Sequence, residues 1–214
     1  MQQKTAIRQL EVLERLGGVK TMRLAAEGWK EEWQTLISIL MSARTRDEVT
    51  VFVAEKLFSF FKTPEALARA RPEEVAAIIR PVNFFQNKTK YVISLARVLI
   101  EEHAGKLPHD HARLILLPGV GRKTANVFLS EYGADAIGVD THVAYISRQL
   151  GWTAHTNPDK IEEDLKKLFP QNYWSRVNSV CVRFGKSYMS RMKKDALLQR
   201  IKSRHWRRQK EALR

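Results

Sequence analysis

Apolar residues recur along nearly the whole chain at the three- and four-residue spacing of helices, and no stretch alternates as a half-buried strand does. Residues 29–47, "WKEEWQTLISILMSARTRD", begin amphipathic and become apolar, which predicts a helix that ends inside the protein. "TPEALARA" and "RPEEVAAIIR" each put proline in a first helical turn, with glutamate nearby to suit the positive end of the helix dipole. "NKTKYVISLARVLIEEHAGKLP" stops on Gly105 and Pro108, the usual exit signals. Asp110 caps the short helix "HARLILL", and Asn157 with Pro158 opens "NPDKIEEDLKKLFP". About nine or ten short helices are expected, hence an all-α fold. No internal repeat or low-complexity linker marks a domain boundary, and the glycine-bearing stretch 133–139 is the plausible crossing point.

Length and composition narrow the class. A chain of 214 residues suits one large domain or two small ones. No apolar run reaches the ~20 residues of a membrane span, and the first residues are charged and amphipathic, unlike a secretory signal. The single cysteine, Cys181, excludes an internal disulfide framework and any all-cysteine metal cage, and points to a reducing compartment. Charge says more. The formal net charge is +14, and residues 191–214 hold ten basic side chains against two acidic ones. The rest of the chain stays basic without them, which favours a polyanionic partner over a merely solvated basic arm.

Candidate chemistry gathers in "LPGVGRKTANVFLSEYGADAIGVDTHV", residues 117–143. Pro118 closes the preceding helix, and Gly119 and Gly121 free the backbone for a tight turn. From Gly121 the sequence reads as a helix ending near Gly133. The amides of Gly119, Val120 and Gly121 would then face outward at a helix N-terminus, where a phosphodiester fits. A plain helix-connecting turn is the alternative, and the basic pair Arg122 and Lys123 favours the phosphate. The helix dipole and Arg122 both disfavour an ammonium at Lys123, which promotes the free, nucleophilic amine. A phosphate-contacting lysine is the blander reading. Asp140, seventeen positions on, reads as an N-cap with Thr141 and His142 in the first turn. An amine and a carboxylate facing one cleft would also suit N-glycosidic cleavage, the acid stabilising oxocarbenium-like charge while the amine attacks the anomeric carbon.

"LPGVGRKTANV" followed by "VDTHV" resembles the endonuclease III branch of the helix-hairpin-helix DNA glycosylases. The likeness extends from "LISILMSARTRDE" through "VNFFQNKTKYVISLARVLIEEHAGKLP" to "VDTHVAYISRQLGW". It implies two α-helical domains flanking a DNA-binding cleft: a six-helix domain, 26–135, holding the hairpin, and a second formed by 1–25 and 136–214. It implies that Lys123 is the Schiff-base nucleophile and Asp140 the essential carboxylate, so that one enzyme both removes a base and nicks the strand by β-elimination. The base must leave the duplex first. Arg44 matches a side chain that fills the vacated stack, with a simple phosphate contact as the alternative, and Phe84 matches an apolar wedge or else belongs to the core. Asn87 and Lys88, next to that wedge, are expected at the DNA. Asp47 matches an acid near the cleft, though capping or an ion pair explains it equally.

The resemblance has departures. The best-known members hold a [4Fe–4S] cluster on four cysteines, and Cys181 alone cannot build one. No cofactor is therefore expected, beyond a monovalent cation that hairpin carbonyls hold in this superfamily. Met192, Ala196, Leu197, Leu198, Ile201 and Trp206 suggest an added amphipathic helix that packs where the cluster is missing, its basic face either meeting phosphates or simply solvated. Tyr145 stands where arginine is usual, which leaves the packing of the second domain open. "HDH" at 109–111 is a weak metal-pair candidate against an ordinary cap. The leading expectation is a bifunctional glycosylase and abasic-site lyase, acting as a monomer on oxidised pyrimidines in duplex DNA, with no membrane partner. A glycosylase for uracil or thymine opposite guanine, or for alkylated bases, is the runner-up, and a non-catalytic duplex-binding module is the reading from another class.

Overall fold

The computed structural model describes residues 1–17, 23–133 and 136–203. Among them are twelve α-helices and no strand. In chain order these are α1 (Gln3–Leu16), α2 (Glu32–Ser42), α3 (Asp47–Phe60), α4 (Pro64–Ala68), α5 (Pro72–Ile79), α6 (Phe85–His103), α7 (His111–Leu114), α8 (Arg122–Glu131), α9 (Thr141–Leu150), α10 (Pro158–Leu168), α11 (Trp174–Ser187) and α12 (Arg191–Lys202). The all-α expectation holds. The count exceeds the expected nine or ten, and the short pieces α4 and α7 are among the helices that the sequence marks. Asp110 caps α7 through Arg113 N–H, as read from the sequence, and Pro64 stands in the first turn of α4, where Thr63 adds a cap through Ala66 N–H.

The chain divides into two compact units, Met22–Ala134 and Met1–Thr21 with Asp135–Arg214. The first is built around α2, whose run from Leu36 to Met41 is buried without interruption. A helix apolar on every side must be surrounded, and α3, α6 and α8 supply its neighbours. Trp29 and Trp33 meet Phe58 of α3 edge-on, each at 5.1 Å. The helix predicted over 29–47 is shorter than that segment, because the chain leaves it at Ala43 and re-enters at Asp47. Helix α6 lays Val92, Leu95, Ala96 and Leu99 inward, with α4 and α5 packed against it.

In the other unit α1 sets Leu10 and Leu13 against α11, whose Val177, Val180, Cys181 and Phe184 are buried. Helices α9 and α10 add Val143, Ile146, Leu150, Ile161 and Leu165 to the same core. Each such aliphatic contributes about 1.5–3 kcal/mol of transfer free energy. Gln9 accepts a 2.7 Å hydrogen bond from the buried indole of Trp152, so neither polar group is stranded. Gly185 of α11 lies so close to the ring of His142 that no side chain fits there.

Helix α12 closes this core with Leu198 and Ile201. Met192 and Ala196, expected on its apolar face, are exposed, while Leu197 is half-buried; Trp206 lies outside the described residues. The hydroxyl of Tyr145 donates to Asp195, so the residue that departs from the family pattern ties α9 to α12.

Candidate functional site

The hairpin between α7 and α8 has a single left-handed glycine. Gly119 has φ +74°, and a Cβ there would sit 2.7 Å from Cβ and Cγ of Tyr91 on α6 and 2.9 Å from Cδ1 of Leu40 on α2. Conformation and space both demand glycine at that position. Gly121 behaves differently. It is the N-cap of α8 with φ −88°, an angle any residue adopts, and a Cβ there would meet nothing within 4 Å. The expectation that both glycines relieve the backbone is therefore corrected for Gly121. Val120 is corrected too. Its N–H donates to Leu117 O at 3.1 Å and its side chain is buried, so it anchors the turn and its amide does not face outward. Among the described residues, the N–H groups of Gly119 and Gly121 have no protein acceptor.

Arg122 and Lys123 occupy the first turn of α8, both exposed. Two cations at the positive end of a helix dipole repel it and each other. An anion seated on the turn would reverse the sign of that interaction. The inward face of α8 buries Ala125, Phe128 and Leu129, which fixes the helix beneath Lys123. Phe128 also touches Tyr132, whose hydroxyl lies 2.8 Å from Oγ1 of Thr35 on α2. His109, the weak metal candidate, is used here: its Nε2 lies 2.8 Å from Oε1 of Glu32 and its ring meets Phe128 and Tyr132 edge-on.

Two further predicted residues meet directly. Arg44, between α2 and α3, and Phe84, the N-cap of α6, both have left-handed backbones, with φ 57° and 60°. Side chains with a Cβ rarely adopt that conformation unless their surroundings hold it. The guanidinium of Arg44 lies 5.1 Å from the centroid of the Phe84 ring, within cation–π range. Phe84 is 57% exposed, which removes it from the core. Asn87 is exposed on the first turn of α6. Asp47 opens α3 and accepts the Ala25 N–H at 3.4 Å, in keeping with a structural role.

Lys88 is the clear correction. Expected at the DNA surface, it is 5% exposed, and its Nζ donates to Met41 O at 2.7 Å, Ala43 O at 2.6 Å and Thr45 Oγ1 at 3.3 Å. Burial pushes its pKa down to about 8. Asn83, which sequence reasoning overlooked, works on the same loop: its side-chain amide donates to Arg44 O and its N–H to Thr45 Oγ1 at 3.1 Å.

Asp140 belongs to the other unit. It is the N-cap of α9, its Oδ1 accepting the Val143 N–H at 2.8 Å. That leaves Oδ2 without a protein partner among the described residues. The carboxylate is half-buried, and its charge, after burial itself, helps hold the Cys181 thiol well above its ordinary pKa.

Residues 37–171 match the model of the HhH-GPD superfamily of base excision DNA repair proteins, a span that contains both Lys123 and Asp140. The chain is 40% identical over 157 residues to endonuclease III of Thermotoga maritima, covering 73% of this chain and 74% of that protein. Against endonuclease III of a Synechocystis species it is 38% identical over 156 residues, covering 72% and 71%. The fold is similar to that of endonuclease III in a trapped covalent intermediate with DNA, an estranged-adenine complex, with TM-score 0.79, 29% identity and 89% coverage of both chains.

Proposed function

The chain belongs to the HhH-GPD superfamily of base excision DNA repair proteins and to its endonuclease III family, and from that premise we propose how its own residues carry the reaction. The enzyme is a DNA N-glycosylase and abasic-site lyase. In this reading the neutral amine of Lys123 attacks C1′ of the damaged nucleoside. The C1′–N bond breaks, and the base leaves with the bonding pair and takes up a proton. Asp140 stabilises the positive charge that develops on the sugar. Ring opening yields an imine between Lys123 and C1′, loss of a C2′ proton expels the 3′ phosphate, and water releases the enzyme. Damaged pyrimidines are the proposed substrates, taken from duplex DNA.

One observation carries the assignment of Lys123: an exposed amine stands in the first turn of α8, behind a hairpin whose Gly121 has neither a conformational nor a packing reason to be glycine. A phosphodiester backbone passing that close supplies the reason. Arg44 and Phe84 are the proposed contacts beside the everted nucleotide, with Asn87 near them. On α12 the exposed Lys193 and Arg200 are proposed to meet phosphates. The residues do not fit a four-thiolate cluster. The one cysteine is fully buried in α11 among aliphatic side chains, with its thiol held protonated by burial.

Borohydride trapping on duplexes with thymine glycol, dihydrouracil, uracil opposite guanine or a bare abasic site tests the scheme. The expected result is a covalent adduct with the wild-type protein on the two damaged pyrimidines and the abasic site, and none with Lys123→Gln. Normal strand nicking by Lys123→Gln removes the assigned nucleophile, and selective trapping on uracil opposite guanine moves the substrate class.

A further inference from the structure

We infer that Lys88 is a positioning residue, whose ammonium shapes the loop that presents Arg44. The inference rests on the proposed contact of Arg44 and Phe84 with DNA. Lys88 lies on the buried face of α6, four residues before Val92, where an aliphatic chain would fill the space without bringing a charge inside. No described ion pair includes it, so the cost of desolvating the ammonium is not offset by a carboxylate. What it meets instead is specific. Met41 O and Ala43 O are among the carbonyls that the end of α2 leaves without helical partners. Thr45 Oγ1 is the third acceptor.

The residue enclosed by these contacts is Arg44. Its two neighbours in sequence, Ala43 and Thr45, are both bound to the one ammonium, and its own carbonyl accepts from Asn83. Held on three sides, Arg44 keeps a left-handed backbone that turns its guanidinium over Phe84. One turn further along α6, Tyr91 lies against Gly119 of the hairpin. The first turns of α6 thus support both the Arg44–Phe84 pair and the phosphate turn. A buried charge that bonds the last turn of α2 through Met41 O and the loop after it through Ala43 O and Thr45 Oγ1 is explained if that loop must keep its shape when DNA arrives.

The test is a double-mutant cycle on Lys88→Met and Arg44→Ala, measuring affinity for a duplex carrying a tetrahydrofuran abasic analogue and for the undamaged duplex. Lys88→Met is expected to keep the helical circular-dichroism spectrum. It should bind the analogue about tenfold more weakly and retain undamaged-duplex affinity. On a natural abasic site at saturating enzyme it should also keep the wild-type strand-nicking rate, because Lys123 is untouched. Adding Arg44→Ala should then cost little more. Full additivity, or analogue affinity unchanged in Lys88→Met, overturns the inference while the Arg44 contact stands. If Arg44→Ala and Phe84→Ala are both silent in the wild-type background, the contact itself falls and the inference with it. Should Lys88→Met fail to fold, Asn83→Ala loosens the same loop from an exposed position: a selective loss for the analogue supports the assignment, and an unchanged affinity refutes it.

Discussion

The N–H of Val143 donates to Oδ1 of Asp140 at 2.8 Å, so the carboxylate proposed for the chemistry is also the cap of α9. The two roles separate by substitution. Asparagine caps as well as aspartate. Asp140→Asn should therefore melt with the wild-type protein and bind duplex normally, while single-turnover base excision falls on the order of 10²–10⁴-fold. Asp140→Ala should lose the same activity and also about 0.5–2 kcal/mol of stability. Equal stability losses in both variants, with excision preserved in Asp140→Asn, would leave the residue only its cap.

The hairpin glycines should respond in opposite ways. Gly119→Ala puts a Cβ into Tyr91 and Leu40 on a left-handed backbone, and is expected to destabilise by about 1–3 kcal/mol. Gly121→Ser meets open space and supplies a good N-cap. Its chemical-denaturation midpoint should match or exceed that of wild type, yet duplex affinity should fall because the side chain occupies the approach of the phosphate. A Gly121→Ser protein that binds as before contradicts the phosphate turn.

Local grammar made much of this molecule legible. Asp110, Asn157 and the prolines at 64, 72 and 158 mark helix starts because capping and proline geometry act within one turn. Tertiary roles were not legible in that way. Lys88 reads like its solvent-facing neighbour Lys90, since nothing local shows that α2 ends beside it. A trace of the answer was there: with Val92, Leu95 and Leu99, position 88 continues the buried stripe of α6. The break at Arg44 was hidden for the same reason. Its left-handed turn is held by Lys88 and Asn83, some forty residues away along the chain. Between Gly119 and Gly121 the sequence shows identical residues, and only the folded chain tells them apart, by the left-handed backbone of Gly119 and by Tyr91 and Leu40 packed against it.

Helix α12 yields a salt test. Leu198 and Ile201 belong to the core, so truncation would confuse stability with binding. Lys193→Gln with Arg200→Gln removes two exposed charges and leaves those contacts intact. If both meet phosphates, the slope of log Kd against log salt should shrink by about 1–2, at unchanged melting temperature. An unaltered slope assigns the charges to the solvated surface.

Lys88 also makes a prediction about pH. Burial lowers its folded-state pKa to about 8, against the ordinary lysine value of 10.5. Between those values the unfolded chain holds a proton that the folded chain has released, so stability rises with pH through that window and is lower by the full linkage term below it. Lys194, lowered more gently by partial burial, acts in the same direction, which is why the comparison must be made against Lys88→Met. Urea midpoints measured from pH 7.5 to 10 should climb more steeply for wild type than for Lys88→Met, which should be the more stable protein at pH 7.5. The Arg44 loop should follow the reverse course. A neutral amine keeps two donors for the three acceptors now shared by an ammonium. Affinity for the abasic analogue should therefore drop across the same window in wild type more than in Lys88→Met. Parallel curves for the two proteins would mean that Lys88 titrates at its ordinary value, and that its burial costs the fold nothing.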